Sequence, residues 1–363
     1  MKIAIFLPRY HTNYIGVIQS LKNQKHQVKL YVHNTGYIEN YSIIKPIYIE
    51  ENILTKIINY FFHVKLNMFY LPNFNKFKKA IFKDPPDIII MRPYNKLFML
   101  YLLYLKLFNN FQFILYHQTD HHHLTKSNFS LKFIKFYLII KIFKIKVFSP
   151  IISLKKKLFF KNIFFLPFVS KVSFGKRKIE KANHFLIIGK FVKKKNHEMF
   201  VRAIKYLDNK YNIKATIIGE VSTNDHKEEF TRIKNLIASL GLKNKIKLLK
   251  NIKNNYIKDY YKKNHFFVLP TSGDLAPITI IEALGNGCMV LCSSTCGTKI
   301  YVKKGFNGFV FKNNDQISMN YNMIKMIKNY KTFKKNYKRN NIIVSNLIGE
   351  KIFNKFFNKL IKT

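Results

Sequence analysis

The chain has 363 residues, a hydrophobic fraction of 48% and a formal net charge of +46 at pH 7. This length suits two domains that each bury a core, and the hydrophobic fraction argues against long disordered segments. Its longest apolar run, Leu97–Leu105, is too short for a membrane span of about 20 residues. The apolar start, Met1–Pro8, is likewise too short for a signal peptide, so we expect none.

The positive charge has two readings. Only six of the 64 basic residues are arginine, and Lys, Asn, Ile, Phe and Tyr, which share A/T-rich codons, are all abundant. Codon bias is therefore the favoured explanation, and attraction to phosphate groups of nucleic acid, lipid or nucleotide is the alternative. In either case we expect the charge to draw the protein towards an anionic membrane surface. The odd number of cysteines, three, favours a reducing cytoplasm.

Strand-like and helical segments alternate through the first half of the chain. The predicted strands are Lys2–Pro8, Gln27–Val32, Ser42–Ile49, Asp87–Met91, Phe111–His117, Lys146–Pro150 and Asn162–Phe168. The clearest predicted helices are Leu97–Phe108 and Leu131–Phe143. A polar segment, Val169–Lys181, then predicts a linker.

The alternation resumes after the linker. The predicted strands are His184–Gly189, Lys214–Gly219, Lys245–Leu249, His265–Pro270 and Met289–Ser293. The predicted helices are Glu198–Leu207, Phe230–Leu240, Pro277–Gly285 and Ile342–Ile361. This pattern predicts an α/β fold with two Rossmann-like, doubly wound parallel-sheet domains that face a central cleft. We predict domains over 1–172 and 173–341, and a C-terminal helix over 342–363 that packs back on the N-terminal domain.

The most informative segment for function is Leu269–Gly287. A strand ends at its start, and a loop containing Asp274 leads to a helix whose N-terminus could bind phosphate. Glu282 lies on this otherwise apolar helix and needs a polar partner, for which a sugar or ribose hydroxyl pair is well suited. The alternative is that Glu282 faces solvent and Asp274 only caps the helix.

The same segment resembles a known signature. Asp274 and Glu282 are separated by seven residues and followed by Ala-Leu-Gly-Asn-Gly and a hydrophobic strand. This resembles the motif of glycosyltransferase family 4, the retaining enzymes of the GT-B fold, and Thr295–Thr298 and Gly305–Gly308 match its downstream loops. The resemblance covers most of residues 184–311. This resemblance implies the GT-B fold and a cytoplasmic protein.

The resemblance also implies the reaction. A sugar would move from a UDP- or GDP-linked donor to a hydroxyl of a glycan or lipid-linked acceptor, in synthesis of cell-surface polysaccharide or lipopolysaccharide. The nucleotide sugar is a co-substrate, and no metal or other cofactor is expected. Peripheral contact with an anionic membrane surface is a further expectation, and a nucleic-acid partner is not expected.

Two lysines are candidates for binding the donor diphosphate. Gly189 ends a strand and is followed by Lys190 and Lys195, where the family has an arginine and then a lysine. The resemblance implies that both bind phosphate and take part in catalysis. Lysine lacks the bidentate fork of arginine. In a chain this rich in lysine, two ordinary surface residues are the alternative.

Two residues depart from the family pattern. Asp274 is shorter than the usual glutamate, and Pro277 stands where many members have glycine and offers no N–H. The amides of Ile278 and Thr279 would then bind the donor in its place. A catalytically inactive relative is therefore an alternative.

The resemblance places further residues around the donor. Gly219 ends a strand at the same edge, and Asn251 and Ile252 occupy the position where the family's backbone contacts the nucleobase. His117, at the end of a strand in the N-terminal half, would lie near the transferred sugar.

Other residues of the N-terminal half are weaker candidates for a functional role. Arg9 and His11 follow the first strand and are candidate acceptor or phosphate contacts. Asp120–His123 offers metal-ligand types, but three adjacent histidines project in different directions, and the family's chemistry needs no metal.

Other protein classes fit less well. Pro8–Asn13 has no glycine-rich fingerprint, which disfavours a nicotinamide or flavin dehydrogenase. A sugar-nucleotide epimerase or phosphorylase of the GT-B fold stays open. A basic nucleic-acid-binding protein is more remote, because lysine is spread along the whole chain and no zinc-finger, RRM or KH signature is present.

Overall fold

The computed structural model describes residues 1–10, 14–34, 42–62, 71–92, 96–116, 138–151, 163–173 and 183–362. The chain divides into two compact units. The first comprises Met1–Leu166 together with Asn354–Thr363, and the second comprises Pro167–Phe353.

The first unit is built on a parallel sheet. Its described strands are β1 (Lys2–Arg9), β2 (Gln27–Asn34), β3 (Ile47–Tyr48), β4 (Ile88–Met91), β5 (Gln112–Tyr116), β6 (Lys146–Ser149) and β7 (Ile163–Phe165). The helices of this unit before β7 whose bounds are described are α1 (Ile15–Asn23), α2 (Ile53–Phe62), α3 (Phe74–Phe82) and α4 (Lys96–Phe108). Residues 138–142 are also helical. The strand order is β3-β2-β1-β4-β5-β6-β7. Ile3–Leu7 of β1 is buried throughout, as expected of a parallel strand covered on both faces.

Two predicted strands in this unit are longer than the observed ones. Ser42–Ile49 was predicted, but only Ile47–Tyr48 pairs with β2. Asn162–Phe168 was predicted, but β7 ends at Phe165. Pro46 directly precedes β3, and Pro167 lies two residues after the end of β7. Proline has no N–H to donate to a sheet.

The second unit repeats this architecture. Its strands are β8 (His184–Ile188), β9 (Lys214–Gly219), β10 (Ile246–Lys250), β11 (Phe266–Leu269), β12 (Met289–Ser293) and β13 (Gly308–Phe311). Its helices are α5 (His197–Tyr211), α6 (Asn224–Ser239), α7 (Asn254–Lys263), α8 (Ile278–Gly285), α9 (Gln316–Lys335) and α10 (Tyr337–Ile348). The strands are parallel, in the order β10-β9-β8-β11-β12-β13. The prediction of two parallel α/β sheets is confirmed, and β13 is a strand that the sequence analysis missed.

The chain ends in two helices where one, Ile342–Ile361, was predicted. α10 ends before Gly349, and α11 (Glu350–Lys362) begins directly after it. Glycine is a poor helix former, and its backbone here is extended, with ψ of 158°. The last part of α11 packs within the first unit, where Asn354 Oδ1 accepts a hydrogen bond of 2.8 Å from Ser20 Oγ.

Within the described ranges, no helix is long and apolar enough to cross a membrane.

Buried histidines predict a stability that falls in mildly acidic solution. Burial lowers the pKa of His33 and of His197 to about 3 in each case, and the charge of Lys195 adds to the effect at His197. In the unfolded chain these two histidines are therefore protonated below about pH 6.5, whereas in the folded chain they stay neutral down to about pH 3. Between these values each residue removes up to about 1.4 kcal/mol of stability per pH unit as the pH falls.

We expect His197→Gln to reduce the pH slope of the unfolding free energy by up to about 1.4 kcal/mol per pH unit between pH 6 and pH 4. Urea unfolding at several pH values measures the slope independently of any change in absolute stability. The same slope in the variant and the unmodified protein would contradict a neutral, buried His197.

Candidate active site

The loop between β11 and α8 is fastened to the turn that follows β8. Thr271 Oγ1 donates a hydrogen bond of 3.0 Å to the carbonyl oxygen of Lys194, and the Ser272 amide donates one of 2.8 Å to the same oxygen. The turn, Lys193–Lys195, is a single 3₁₀ turn. These bonds hold the next residues of both segments close together.

Lys195 and Asp274 form an ion pair where these two segments meet. Lys195 Nζ donates a short hydrogen bond to Asp274 Oδ2. Their side chains are only 12% and 17% exposed, so solvent screens the pair less than it would a surface pair. The structure thus joins the predicted phosphate-binding lysine to the predicted acidic residue.

Lys190 has a carboxylate partner of its own. Its Nζ lies 3.2 Å from Oε2 of Glu220, the residue that follows β9, and the Glu220 side chain is 9% exposed. Lys190 itself is 43% exposed. Both lysines predicted to bind the donor diphosphate, called the diphosphate clamp below, are therefore paired with a carboxylate. A bound diphosphate would compete with those carboxylates for the two ammonium groups.

Gly189 and Gly219 lie at the carboxyl ends of neighbouring strands and approach closely. A Cβ atom on Gly219 would lie 2.5 Å from the Gly189 carbonyl oxygen and 2.5 Å from the Phe191 ring. A Cβ on Gly189 would lie 3.3 Å from Cδ and Cε of Lys195. The absence of side chains here therefore lets the two strand ends meet and lets Lys195 lie along Gly189.

Glu282 is half-buried on α8 and bonded to a neighbouring helix. The Tyr261 hydroxyl on α7 donates a hydrogen bond of 2.9 Å to Glu282 Oε2. Burial raises the pKa of Tyr261 well above its usual value, and the charge of Glu282 adds to the rise. The reading in which Glu282 merely faces solvent and Asp274 caps α8 is wrong, because the N-cap is Pro277 and Asp274 pairs with Lys195.

The N-terminus of α8 presents the two predicted amides. Ile278 and Thr279 are half-buried in its first turn, after Pro277 at the N-cap. Thr298 Oγ1 fixes this start by donating to the Pro277 carbonyl oxygen at 3.3 Å. Within the described ranges, the Thr279 hydroxyl oxygen is buried without a hydrogen-bond partner. A polar group left in this state next to a helix N-terminus is compatible with an anionic ligand.

Asn251 joins the carboxyl ends of β9 and β10. Its Oδ1 accepts from the Val221 amide at 2.7 Å, and its Nδ2 donates to the Val221 carbonyl oxygen at 3.0 Å. Its φ of 55° is left-handed, a region that asparagine enters more readily than most residues. The side chain is thus used within the fold. If Asn251 and the following Ile252 contact a base, their backbone atoms would make that contact.

Several residues of this region were not assigned a role by the sequence analysis. Glu220 could have been found as a carboxylate directly after a strand, but Tyr261 shows only the spacing of a buried helix position. Asn313 accepts from Thr295 Oγ1 at 2.9 Å and donates to Ser272 Oγ at 3.2 Å, so it ties β13 to the loop before α8. Its partners lie far away in sequence, and no local pattern marks it.

The candidates in the first unit are less defined. His117, His11 and Asp120–His123 lie outside the described residues. Arg9 ends β1 and is half-buried. The part of the chain that the structure describes contains no group of three or more His, Cys, Asp or Glu that could hold a metal ion.

Solved structures share this fold over the whole chain. Sucrose-phosphate synthase from Thermosynechococcus elongatus aligns over 100% of this chain and 98% of its own, at 16% identity and a TM-score of 0.70. HepE from Anabaena, solved with UDP and glucose, aligns over 100% of both chains at 11% identity and a TM-score of 0.72. The two parallel-sheet units thus have the GT-B fold.

Sequence comparison finds similarity over part of the chain. Residues 169–342 match the family model of Glycosyl transferases group 1. The capsular polysaccharide biosynthesis glycosyltransferase CapH of Staphylococcus aureus is 30% identical over 117 residues, which are 32% of this chain and 31% of CapH. The match thus spans about a third of that relative's length.

Proposed function

We propose that the protein is a retaining glycosyltransferase that uses a nucleotide-diphosphate sugar. The observation that carries this proposal is the ion pair between Lys195, in the turn after β8, and Asp274, in the loop before α8. Both residues lie inside the segment that matches the glycosyltransferase family model. A cation for a diphosphate and a carboxylate for sugar hydroxyls lie in contact there. The Thr279 hydroxyl and the amides of the first turn of α8 add donors next to them.

In the proposed reaction, Lys190, Lys195 and the α8 amides stabilise the departing diphosphate. Charge-assisted hydrogen bonds of this kind contribute about 1.5–3 kcal/mol each. Positive charge develops at the anomeric carbon, the acceptor hydroxyl attacks from the face that the phosphate leaves, and the phosphate takes the proton. Glu282 accepts hydrogen bonds from a hydroxyl pair of the donor, and Gly219, Asn251 and Ile252 contact its nucleoside through their backbone.

The acceptor is proposed to be a hydroxyl of a glycan or a lipid-linked sugar, in cell-surface polysaccharide or lipopolysaccharide synthesis. The relative named for capsular polysaccharide biosynthesis supports this choice. The charge of +46 would favour contact with an anionic membrane surface that carries such an acceptor.

A thermal-shift screen of UDP, GDP and their sugar conjugates tests the proposal. A nucleotide at a hundredfold excess over its Kd stabilises the folded state by about 2.7 kcal/mol, which raises Tm by several degrees. The sugar nucleotide that gives the largest shift is then incubated with candidate acceptors, and products are identified by mass spectrometry. Transfer supports the proposal, whereas epimerised or phosphorolysed sugar would support the alternative enzymes. No shift with any nucleotide would refute a nucleotide-dependent transferase.

We expect Asp274→Asn to separate nucleotide binding from transfer. Loss of the carboxylate frees Lys195 for phosphate, so UDP or GDP should bind about fivefold more tightly, a gain of ~1 kcal/mol. Transfer should slow, because the sugar loses a charged acceptor. Calorimetry and initial rates measure the two effects.

Asp208→Asn is the matched control. Asp208 also pairs with a lysine of the second unit, Lys245, at 3.1 Å, but that pair lies at the amino end of β10. We expect this variant to bind and turn over like the unmodified protein. Weaker nucleotide binding in Asp274→Asn would show that the carboxylate does not compete with the phosphates.

A further inference from the structure

The Tyr261–Glu282 bond links two parts of the candidate donor site. Tyr261 lies on α7, which begins three residues after Asn251 in the loop proposed to contact the base. Glu282 lies on α8, which begins four residues after Asp274. The hydrogen bond of 2.9 Å between their side chains therefore connects the helix of the base loop to the helix of the sugar and phosphate loop.

Tyr261 is held firmly in place. Its side chain is 1% exposed, and its ring packs against Phe267 of β11 at 5.7 Å between centroids. The Cys288 thiol donates to the Tyr261 carbonyl oxygen at 3.3 Å and so fixes the end of α7 to the start of β12. A hydroxyl on a ring this constrained points in one direction and can fix the direction of the carboxylate that accepts from it.

Glu282 needs such a restraint. Its side chain is only half-buried on α8, and a glutamate has three side-chain torsions to order. The Tyr261 hydroxyl uses one of about four acceptor positions of the carboxylate. A vicinal hydroxyl pair presents two donors at fixed spacing, so it requires a carboxylate of fixed orientation.

We infer that Tyr261 is a positioning residue that orients Glu282 to select donors with a vicinal hydroxyl pair. The inference rests on the proposed function and deepens it. The pair belongs either to the ribose or to the transferred sugar, and the two sources share one chemistry. Tyr261 makes no contact with the donor itself and acts through Glu282.

Binding of hydroxyl-deficient nucleotides tests this role. The Kd values of UDP, GDP and their 2′,3′-dideoxy forms are measured for the unmodified protein, Tyr261→Phe, Glu282→Ala and the double variant. We expect the preference for the intact ribose to fall about tenfold in Tyr261→Phe, while binding of the dideoxy form stays unchanged. In the Glu282→Ala background, Tyr261→Phe should have no further effect, since positioning needs both partners.

The sugar is tested in the same variants. If the hydroxyl pair belongs to the sugar, the affected quantity is the preference for UDP-glucose over UDP-2-deoxyglucose, and the dideoxy comparison is unchanged. Equal weakening of all ligands by Tyr261→Phe, or additive losses in the double variant, would overturn the inference. Tyr330→Phe is the control, because Tyr330 is also buried in this unit but packs against His265 and Phe266.

A second measurement does not depend on the stability of Tyr261→Phe. 3-Fluorotyrosine placed at position 261 keeps the ring and hydroxyl and reports through its ¹⁹F resonance. The resonance should move on addition of the intact ligand, much less with its hydroxyl-deficient form, and equally with both in Glu282→Ala. Equal shifts in the otherwise unmodified protein would refute positioning. Failure of the parent protein to bind any nucleotide would instead refute the proposed function.

Discussion

Lys195→Ala is expected to lower the rate of sugar transfer by about 10²–10³-fold, the usual loss when one preorganised donor to a developing anion is removed. Lys195 is only 12% exposed, so water cannot fully replace its charge. Its loss also leaves the Asp274 carboxylate without its cation next to the phosphates. Initial rates with saturating donor and acceptor measure the effect, and Tm verifies that the variant is folded.

Lys190→Ala should lower the rate of transfer less than Lys195→Ala does, because Lys190 is 43% exposed and solvent screens its interaction with phosphate more strongly. Lys245→Ala, which removes the lysine of the Asp208 pair, serves as the control and should transfer at the normal rate. Near-normal transfer by Lys195→Ala would remove this residue from the proposed clamp and with it the main support for the mechanism.

The position of these lysines could be predicted because it follows from a topological rule. In a parallel sheet, residues directly after the strands gather at one edge, and Gly189 and Gly219 mark two such strand ends in the sequence. The partners of the lysines could not be predicted. The Lys195–Asp274 contact spans 79 positions and depends on two bonds to the Lys194 carbonyl oxygen that no local pattern reveals.

The errors in the fold have equally local causes. Pro46 and Pro167 were visible in the sequence and should have shortened the predicted strands that contain them. β13, by contrast, is only four residues long and lies in a glycine-containing segment that reads as a turn. Its identity as a strand comes from pairing with β12, which is a tertiary property.

A second large effect is expected from Gly219→Ala, which should lower the free energy of unfolding by about 1–3 kcal/mol. The added methyl group would lie 2.5 Å from the Gly189 carbonyl oxygen, and this backbone atom is fixed because the Gly189 amide donates to the Ile218 carbonyl oxygen at 3.0 Å. It would also meet Phe191, which is fully buried and stacked on His197 at 4.9 Å. Neither neighbour can move without disturbing the packing of α5.

Gly189→Ala is the matched comparison, and we expect it to affect the rate of transfer rather than the stability. The atoms nearest to its methyl group would belong to the Lys195 side chain, at 3.3 Å, and this flexible chain can shift by a few tenths of an ångström. Stability should therefore be nearly preserved while transfer falls, because Lys195 moves from its place beside Asp274. Urea unfolding and initial rates of both variants provide the comparison. If Gly219→Ala is as stable as the unmodified protein, the two strand ends do not meet as closely as the structure has them. If Gly189→Ala transfers sugar at the unchanged rate, the exact path of the Lys195 side chain does not matter for the reaction.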